Sequence, residues 1–105
     1  MDNRALLTAF FDCENRRDWE KYETFLDGRV VWILNGNEVM DGRTSYMRRI
    51  TAAYEGSDDT FVCRRMTGEG GRIAAELQSS RGVISICIFD IEGGRIVREW
   101  EFILD

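Results

Sequence analysis

Apolar residues recur at three- and four-residue spacing through the first half of the chain and at two-residue spacing from Thr60 onward. In the first half, Leu6, Leu7, Phe10, Phe11 and Cys13 form a stripe that predicts a helix, capped by Asp2 or Asn3 and ending near Asn15. Asp18 caps a second, short helix with Trp19, Tyr22, Phe25 and Leu26 on one side, and Gly28 supplies its left-handed stop. The run "RVVWILN" is rich in β-branched and aromatic residues and predicts a strand buried on both faces. "NGNEV" is a turn into a short extended piece. After "MDG" a third helix, "RTSYMRRITAAYEG", presents Tyr46, Met47, Ile50, Ala53 and Tyr54 as its apolar face and stops at Gly56.

Period-two alternation then runs through "TFVCRRMT", "RIAAELQSS", "VISICIFDI" and "RIVREWEFIL", separated by "GEGG", "RG" and "EGG". Turns this short join antiparallel neighbours, since parallel ones need long crossovers. Helices grouped early and strands grouped late predict a single α+β domain over residues 1–105, with helices covering one face of a curved sheet. In "VISICIFDI" both alternating rows are apolar. The helices cover one of them, and a second copy of the chain is the expected cover for the other.

The last strand is harder to orient. Regular alternation puts Ile96, Arg98, Trp100, Phe102 and Leu104 on one face and Val97, Glu99, Glu101 and Ile103 on the other. Neither row is a plain solvent surface.

Composition narrows the chemistry. The net charge of −5 opposes nucleic acid as a partner, because neutralising phosphates requires a positive field. No apolar run is long enough to span a bilayer, and no basic segment leads into one, so a cytoplasmic protein is expected. The three cysteines are widely spaced among apolar neighbours and read as reduced, buried thiols. There is no histidine, which removes Ser-His and Cys-His nucleophiles together with most transition-metal sites. No metal and no cofactor are expected. Lys21, the single lysine, lies in the charged run "WEKYE", without the apolar surroundings that Schiff-base chemistry needs.

In order and spacing, "NRRDWEKYETFLDGRVVWILN", "VMDGR", the third helix, the meander and the terminal "GGRIVREWEF" resemble the nuclear transport factor 2-like superfamily, especially its SnoaL-like branch. The resemblance implies a cone-shaped, cystatin-like α+β barrel, in which a strongly bent antiparallel sheet wraps the N-terminal helices. It also implies an apolar pocket at one end, a small apolar molecule as its occupant, and a homodimer formed through the outer sheet face. In the epoxide-hydrolase branch an acidic residue of the last strand faces the pocket. Alignment from Gly94-Arg95-Ile96 puts Glu101 there, with Glu99 one pleat away; the alternative is that both lie on the solvent face of an amphipathic strand.

The steroid-isomerase set of that superfamily is absent, because its positions fall near Phe10, Ile33 or Leu34, and Ile86. The expectation is therefore a small-molecule-binding domain without a complete known catalytic set. The alternative is an isomerase, dehydratase or epoxide hydrolase that uses a pocket carboxylate as general acid or base. Glu101 and then Glu76 are the candidate carboxylates, and Phe10, Trp32, Met40, Tyr46, Tyr54 and Glu99 the candidate lining.

Overall fold

A computed structural model describes residues 1–104. The order is α1 (Asn3–Arg16), α2 (Trp19–Thr24), β1 (Leu26–Leu34), β2 (Glu38–Asp41), α3 (Arg43–Tyr54), β3 (Phe61–Glu69), β4 (Arg72–Ser79), β5 (Ile84–Glu92) and β6 (Arg95–Leu104). Six strands form one curved, unclosed sheet in the order β2-β1-β6-β5-β4-β3. The predicted meander is present as antiparallel β3-β4, β4-β5 and β5-β6 pairs. β1 joins it in parallel beside β6, a pairing the alternation gave no sign of.

The N-terminal helix starts where expected. Asp2 accepts a hydrogen bond from the Ala5 amide at 2.8 Å, the side-chain cap that a helix N-terminus needs. It ends at Arg17, whose left-handed backbone (φ 59°) turns the chain back toward α2. Long-range bonds then pin the helix inside the curve of the sheet. The Arg4 guanidinium donates to the carbonyls of Met66 and Gly68, while Asn15 exchanges two hydrogen bonds with the Phe61 backbone, each 2.9 Å. Its buried stripe packs on the inner row of the meander: Phe10 lies edge-on to Phe89 at 6.2 Å and stacks on Tyr22 at 4.1 Å.

Three expectations need correction. Only Cys13 and Cys87 are buried thiols; Cys63, on the edge strand β3, is exposed. Gly28 is no helix stop: α2 closes at Phe25 in right-handed geometry, and β1 already begins at Leu26, so Gly28 lies within the strand. The alternation of β6 is not regular either. Asp90 pairs with Arg98 but Ile91 pairs with Ile96, so Val97 is an extra residue, a β-bulge that resets which side chains face inward. As a result Ile96, Glu99 and Glu101 share the inner face, opposite Ile91, Phe89 and Cys87. Trp100, Phe102 and Leu104 turn outward, opposite Ile88, Ile86 and Ile84. Arg98 is outward as well, across from Asp90 and with its guanidinium 5.7 Å from the centre of the Trp100 ring.

The glycine-rich β3-β4 hairpin carries one strict requirement. Gly68 has φ +109°, and a Cβ there would lie 2.5 Å from the Arg72 carbonyl oxygen, so only glycine fits.

Candidate functional site

The inner face of β6 brings acid into an otherwise oily interior. Glu99 is 4% exposed, the one charged residue buried among the described residues. In the parallel register Trp32 lies beside Glu99, and Leu34 beside Glu101. Asn35 locks this end of the sheet: its amide donates to the Glu101 carbonyl at 2.8 Å, and its side-chain oxygen accepts from the Ile103 amide at 2.9 Å.

Glu99 and Glu101 border a closed cavity of about 30 Å³ together with Glu14, Tyr22, Tyr46, Trp32, Cys87 and a ring of aromatic and aliphatic side chains. That volume suits one or two water-sized groups. Outside it, an open hollow of about 160 Å³ lies between α3 and the β1-β6 end, bordered by Glu14, Trp32, Arg49, Tyr54 and Glu101 among others. Glu14, Trp32, Ile50 and Glu101 border both spaces. The interior is therefore far more tightly filled, and far more acidic, than a hollow apolar cone.

Hydroxyl groups connect the acids. Tyr46 donates a hydrogen bond to Glu99. The Tyr46 and Tyr22 hydroxyls lie 3.3 Å apart, and Tyr22 reaches one oxygen of Glu14 at 3.3 Å. Tyr54 donates to the other oxygen of Glu14 at 2.5 Å. The Arg17 guanidinium sits 4.1 Å from the centre of the Tyr54 ring and is itself held by the carbonyls of Ser57 and Asp59.

The electrostatics follow from burial without cations inside. Burial lifts the Glu14 carboxyl from its usual 4.5 to about 7; the Glu101 charge adds to the rise, and Tyr54, Tyr22 and Arg17 oppose it. Glu99 is pushed well above the carboxylate range by burial and then by Glu101, with Tyr46 opposing. Burial also raises Glu101, against the pull of Trp32 and Arg49. The Trp32 indole is 3% exposed, and its N–H faces this acid without completing a well-formed hydrogen bond. Tyr22, Tyr46 and Tyr54 are all raised, chiefly by burial, so they remain neutral donors.

Cys87 Sγ and oxygens of Glu99 and Glu101 lie within 4.8 Å of one another, a grouping that could ligate a cation. Burial holds the Cys87 thiol protonated and both carboxyls are raised, so a metal would first have to displace protons from all three.

Of the residues expected from sequence, Glu101, Glu99, Phe10, Trp32 and Tyr46 border the cavity, and Tyr54 borders the outer hollow. Met40 is buried but borders a separate surface groove with Glu38, Ser45 and Arg48. Glu76 lies on the outer face, 3.4 Å from Arg64 and 3.6 Å from Arg65, because the inner positions of β4 are Ile73, Ala75 and Leu77. Glu14, Tyr22 and Cys87 were not anticipated as site residues. Their signal was positional: Glu14 continues the Leu7, Phe10, Phe11 stripe by one helical turn.

Residues 7–99 match the family model described as the SnoaL-like domain. No curated protein matches the chain. Among solved structures, a candidate ketosteroid isomerase from Kribbella flavida is similar with a TM-score of 0.87 and 24% identity, over 97% of this chain and 77% of that one. Bal32a, from a soil-derived mobile gene cassette, is similar at 0.88 and 15% identity, over 98% and 89%. An LEH-like epoxide hydrolase from M. tuberculosis gives 0.79 and 14% identity, over 95% and 80%. At these identities the likenesses establish a shared nuclear transport factor 2-like fold.

Proposed function

Since the chain belongs to the SnoaL-like domain family, we propose that it binds a small neutral molecule bearing a carbonyl or similar oxygen and moves a proton on it by carboxylate acid–base chemistry. The observation that carries this reading is Glu101: its carboxyl is raised by burial and faces both the closed cavity and the open hollow, beside a Trp32 N–H that lacks a partner. A buried donor that no protein acceptor fully satisfies gains a hydrogen bond from an acceptor oxygen that arrives there.

The sizes divide the substrate. The cavity admits an oxygen-sized group and the hollow a body of only a few carbons, below the range of drug-sized pockets. With the oxygen on Trp32 and on protonated Glu101, negative charge that develops there is stabilised. Glu14, at about 7, is ionised in a substantial fraction of molecules near neutrality and is the candidate base. It would take a proton from the carbon beside the carbonyl, the C–H electron pair would pass to the oxygen, and Glu101 would supply the proton that the oxygen receives.

The test is hydrogen–deuterium exchange at the α-carbons of small cyclic ketones, followed by proton NMR in D2O. Catalysed exchange in the native protein and a loss of about 10²-fold or more in Glu101→Gln are expected. Unchanged exchange in Glu101→Gln removes Glu101 from the mechanism. A non-catalytic binding domain is the second reading, favoured by the apolar residues at two of the steroid-isomerase positions, Phe10 and Ile33 or Leu34; Ile86, aligned to the third, faces outward beside Phe102. On that reading small ketones, epoxides or lactones raise the melting temperature of the native protein and of Glu101→Gln alike, with no exchange in either.

The outer sheet face supports a second part of the proposal, a homodimer. Ile84 faces Leu104, Ile86 faces Phe102 and Ile88 faces Trp100 across β5 and β6, with Phe102 41% and Leu104 51% exposed. A second copy of the chain would bury this patch. A reducing, cytoplasmic setting suits the three free cysteines, and no helix among the described residues is long and apolar enough to cross a membrane.

A further inference from the structure

The acids and hydroxyls of the interior form a line: Glu99, Tyr46, Tyr22, Glu14. Its three contacts each need one proton, yet the two tyrosines own only two between them. If both carboxyls are ionised, Tyr46 gives its proton to Glu99 and Tyr22 gives its own to Glu14. The contact between the hydroxyls is then two oxygens facing each other with nothing between them. One carboxylic acid proton repairs the line, and it does so in two ways. A proton on Glu99 lets Glu99 donate to Tyr46, Tyr46 to Tyr22, and Tyr22 to ionised Glu14. A proton on Glu14 reverses every bond and leaves Glu99 ionised.

We infer that Glu14, Tyr22, Tyr46 and Glu99 hold one proton in common and relay it between the open hollow and the floor of the closed cavity. In the transfer each hydroxyl accepts a proton on one side and releases its own on the other. One carboxyl loses a proton, the other gains one, and nothing is oxidised or reduced. Tyr22 is the slack link, with both of its contacts at 3.3 Å against the usual 2.7–2.8 Å for such bonds. Its ring is fixed between Phe10 at 4.1 Å and Trp19 at 5.1 Å, so the hydroxyl stays between its two neighbours.

The line ends where the proposed chemistry needs it. Oxygens of Glu99 and Glu101 lie within 4.8 Å of each other, and the cavity between them has room for a bridging water. A proton taken up at Glu14 can then return to Glu101 without passing through bulk solvent, which resets base and acid after each turnover. This use rests on the acid–base reading above; the shared proton itself does not.

The groups facing the two ends are known. Around Glu14 they are Arg17 at the end of α1, Tyr22 on α2, Tyr54 on α3 and Glu101 on β6. Around Glu99 they are Tyr46 on α3, Glu14 on α1, Glu101 on β6 and Cys87 on β5. No lysine or arginine contacts Glu99 among the described residues, so nothing competes with the tyrosine line for its proton.

The test is a pH titration of the glutamate side-chain carboxyl carbons by ¹³C NMR, on the full chain without any substrate. In the native protein Glu14 and Glu99 should titrate as a pair, each curve showing both midpoints. Tyr22→Phe keeps the ring and removes the slack hydroxyl. It should lower the Glu99 midpoint by about one pH unit although Tyr22 does not touch Glu99, because Tyr46 can then donate to ionised Glu99 with no conflict. Tyr46→Phe should reciprocally move Glu14, which Tyr46 does not touch. If Tyr22→Phe displaces Glu14 alone and Tyr46→Phe displaces Glu99 alone, or if the native curves are independent, the shared proton is refuted. Should either variant fail to fold, the native curves decide. Coupled titration with no ketone exchange would remove the enzyme and leave the shared proton; exchange with independent titration would do the reverse.

Discussion

The two faces of β5 and β6 each break the usual order of a sheet. Their inner face sets Glu99 and Glu101 among Cys87, Phe89, Ile91 and Ile96, while their outer face carries Ile84, Ile86, Ile88, Trp100, Phe102 and Leu104 beside the Asp90–Arg98 pair. Ordinarily an antiparallel sheet puts its oil inside and its charge in water. Here the interior acids are tolerated because tyrosine hydroxyls and protonation remove most of their cost. The exterior oil has no such remedy within one chain. The inner acids form the site proposed for proton transfer, and the outer apolar row the face proposed for the homodimer.

The largest expected effect breaks this contrast if it fails. Phe89→Ala, at a fully buried inner position packed on Phe10 and Phe11, should cost about 3–5 kcal/mol in urea denaturation. Phe102→Ala on the outer face should cost much less in dilute protein; equal losses would mean that the outer face is packed as the inner one is.

Next comes pH. The Glu14 carboxyl holds its proton more tightly folded than unfolded, so its contribution is complete below the unfolded value of 4.5 and is lost as pH rises through about 7. The change is up to about 3 kcal/mol, and the buried acids Glu99 and Glu101 act in the same direction. The denaturation midpoint should therefore be higher at pH 5 than at pH 8, and Glu14→Gln should flatten the dependence. A midpoint that rises with pH would show that the interior acids are charged throughout.

Phe102→Asp should weaken self-association more than tenfold, about 1.4 kcal/mol, and shift elution in size exclusion toward the single chain. If the native protein already elutes as a single chain at high concentration, the outer oil is simply exposed. The smallest effect belongs to the outer charges. Arg72 bridges Asp90 at 2.7 Å in a solvent-exposed pair, and Arg72→Ala should leave the denaturation midpoint where it was.

Much of this architecture can be read from residue patterns. The helical stripes, the Asp2 and Asp18 caps and the four-strand meander follow from spacing and turn residues, because local periodicity and capping chemistry act within a few positions. What is not local is not legible. The parallel β1-β6 pair joins residues far apart in sequence, and Gly28 reads as a helix stop although tertiary pairing has already drawn it into a strand. The site divides the same way. Glu101 and Glu99 stood out as acids in an apolar strand, but only the bulge decides that both face inward together with Ile96. Glu14 lies in "DCENRRD", where charge on every side masks its place on the buried stripe. Glu76 looked equivalent to Glu101 by residue type, and the pleat of β4 turned it to the other face.

The bulge at Val97 has a consequence for how this strand tolerates change. Flatten it while keeping Val97, and the strand beyond rotates by one pleat: the indole and the phenyl ring would swing into the centre while both acids moved to the rim. Delete Val97 instead, and regular alternation from Ile96 keeps both acids where they are, so the surplus position can be lost but not straightened.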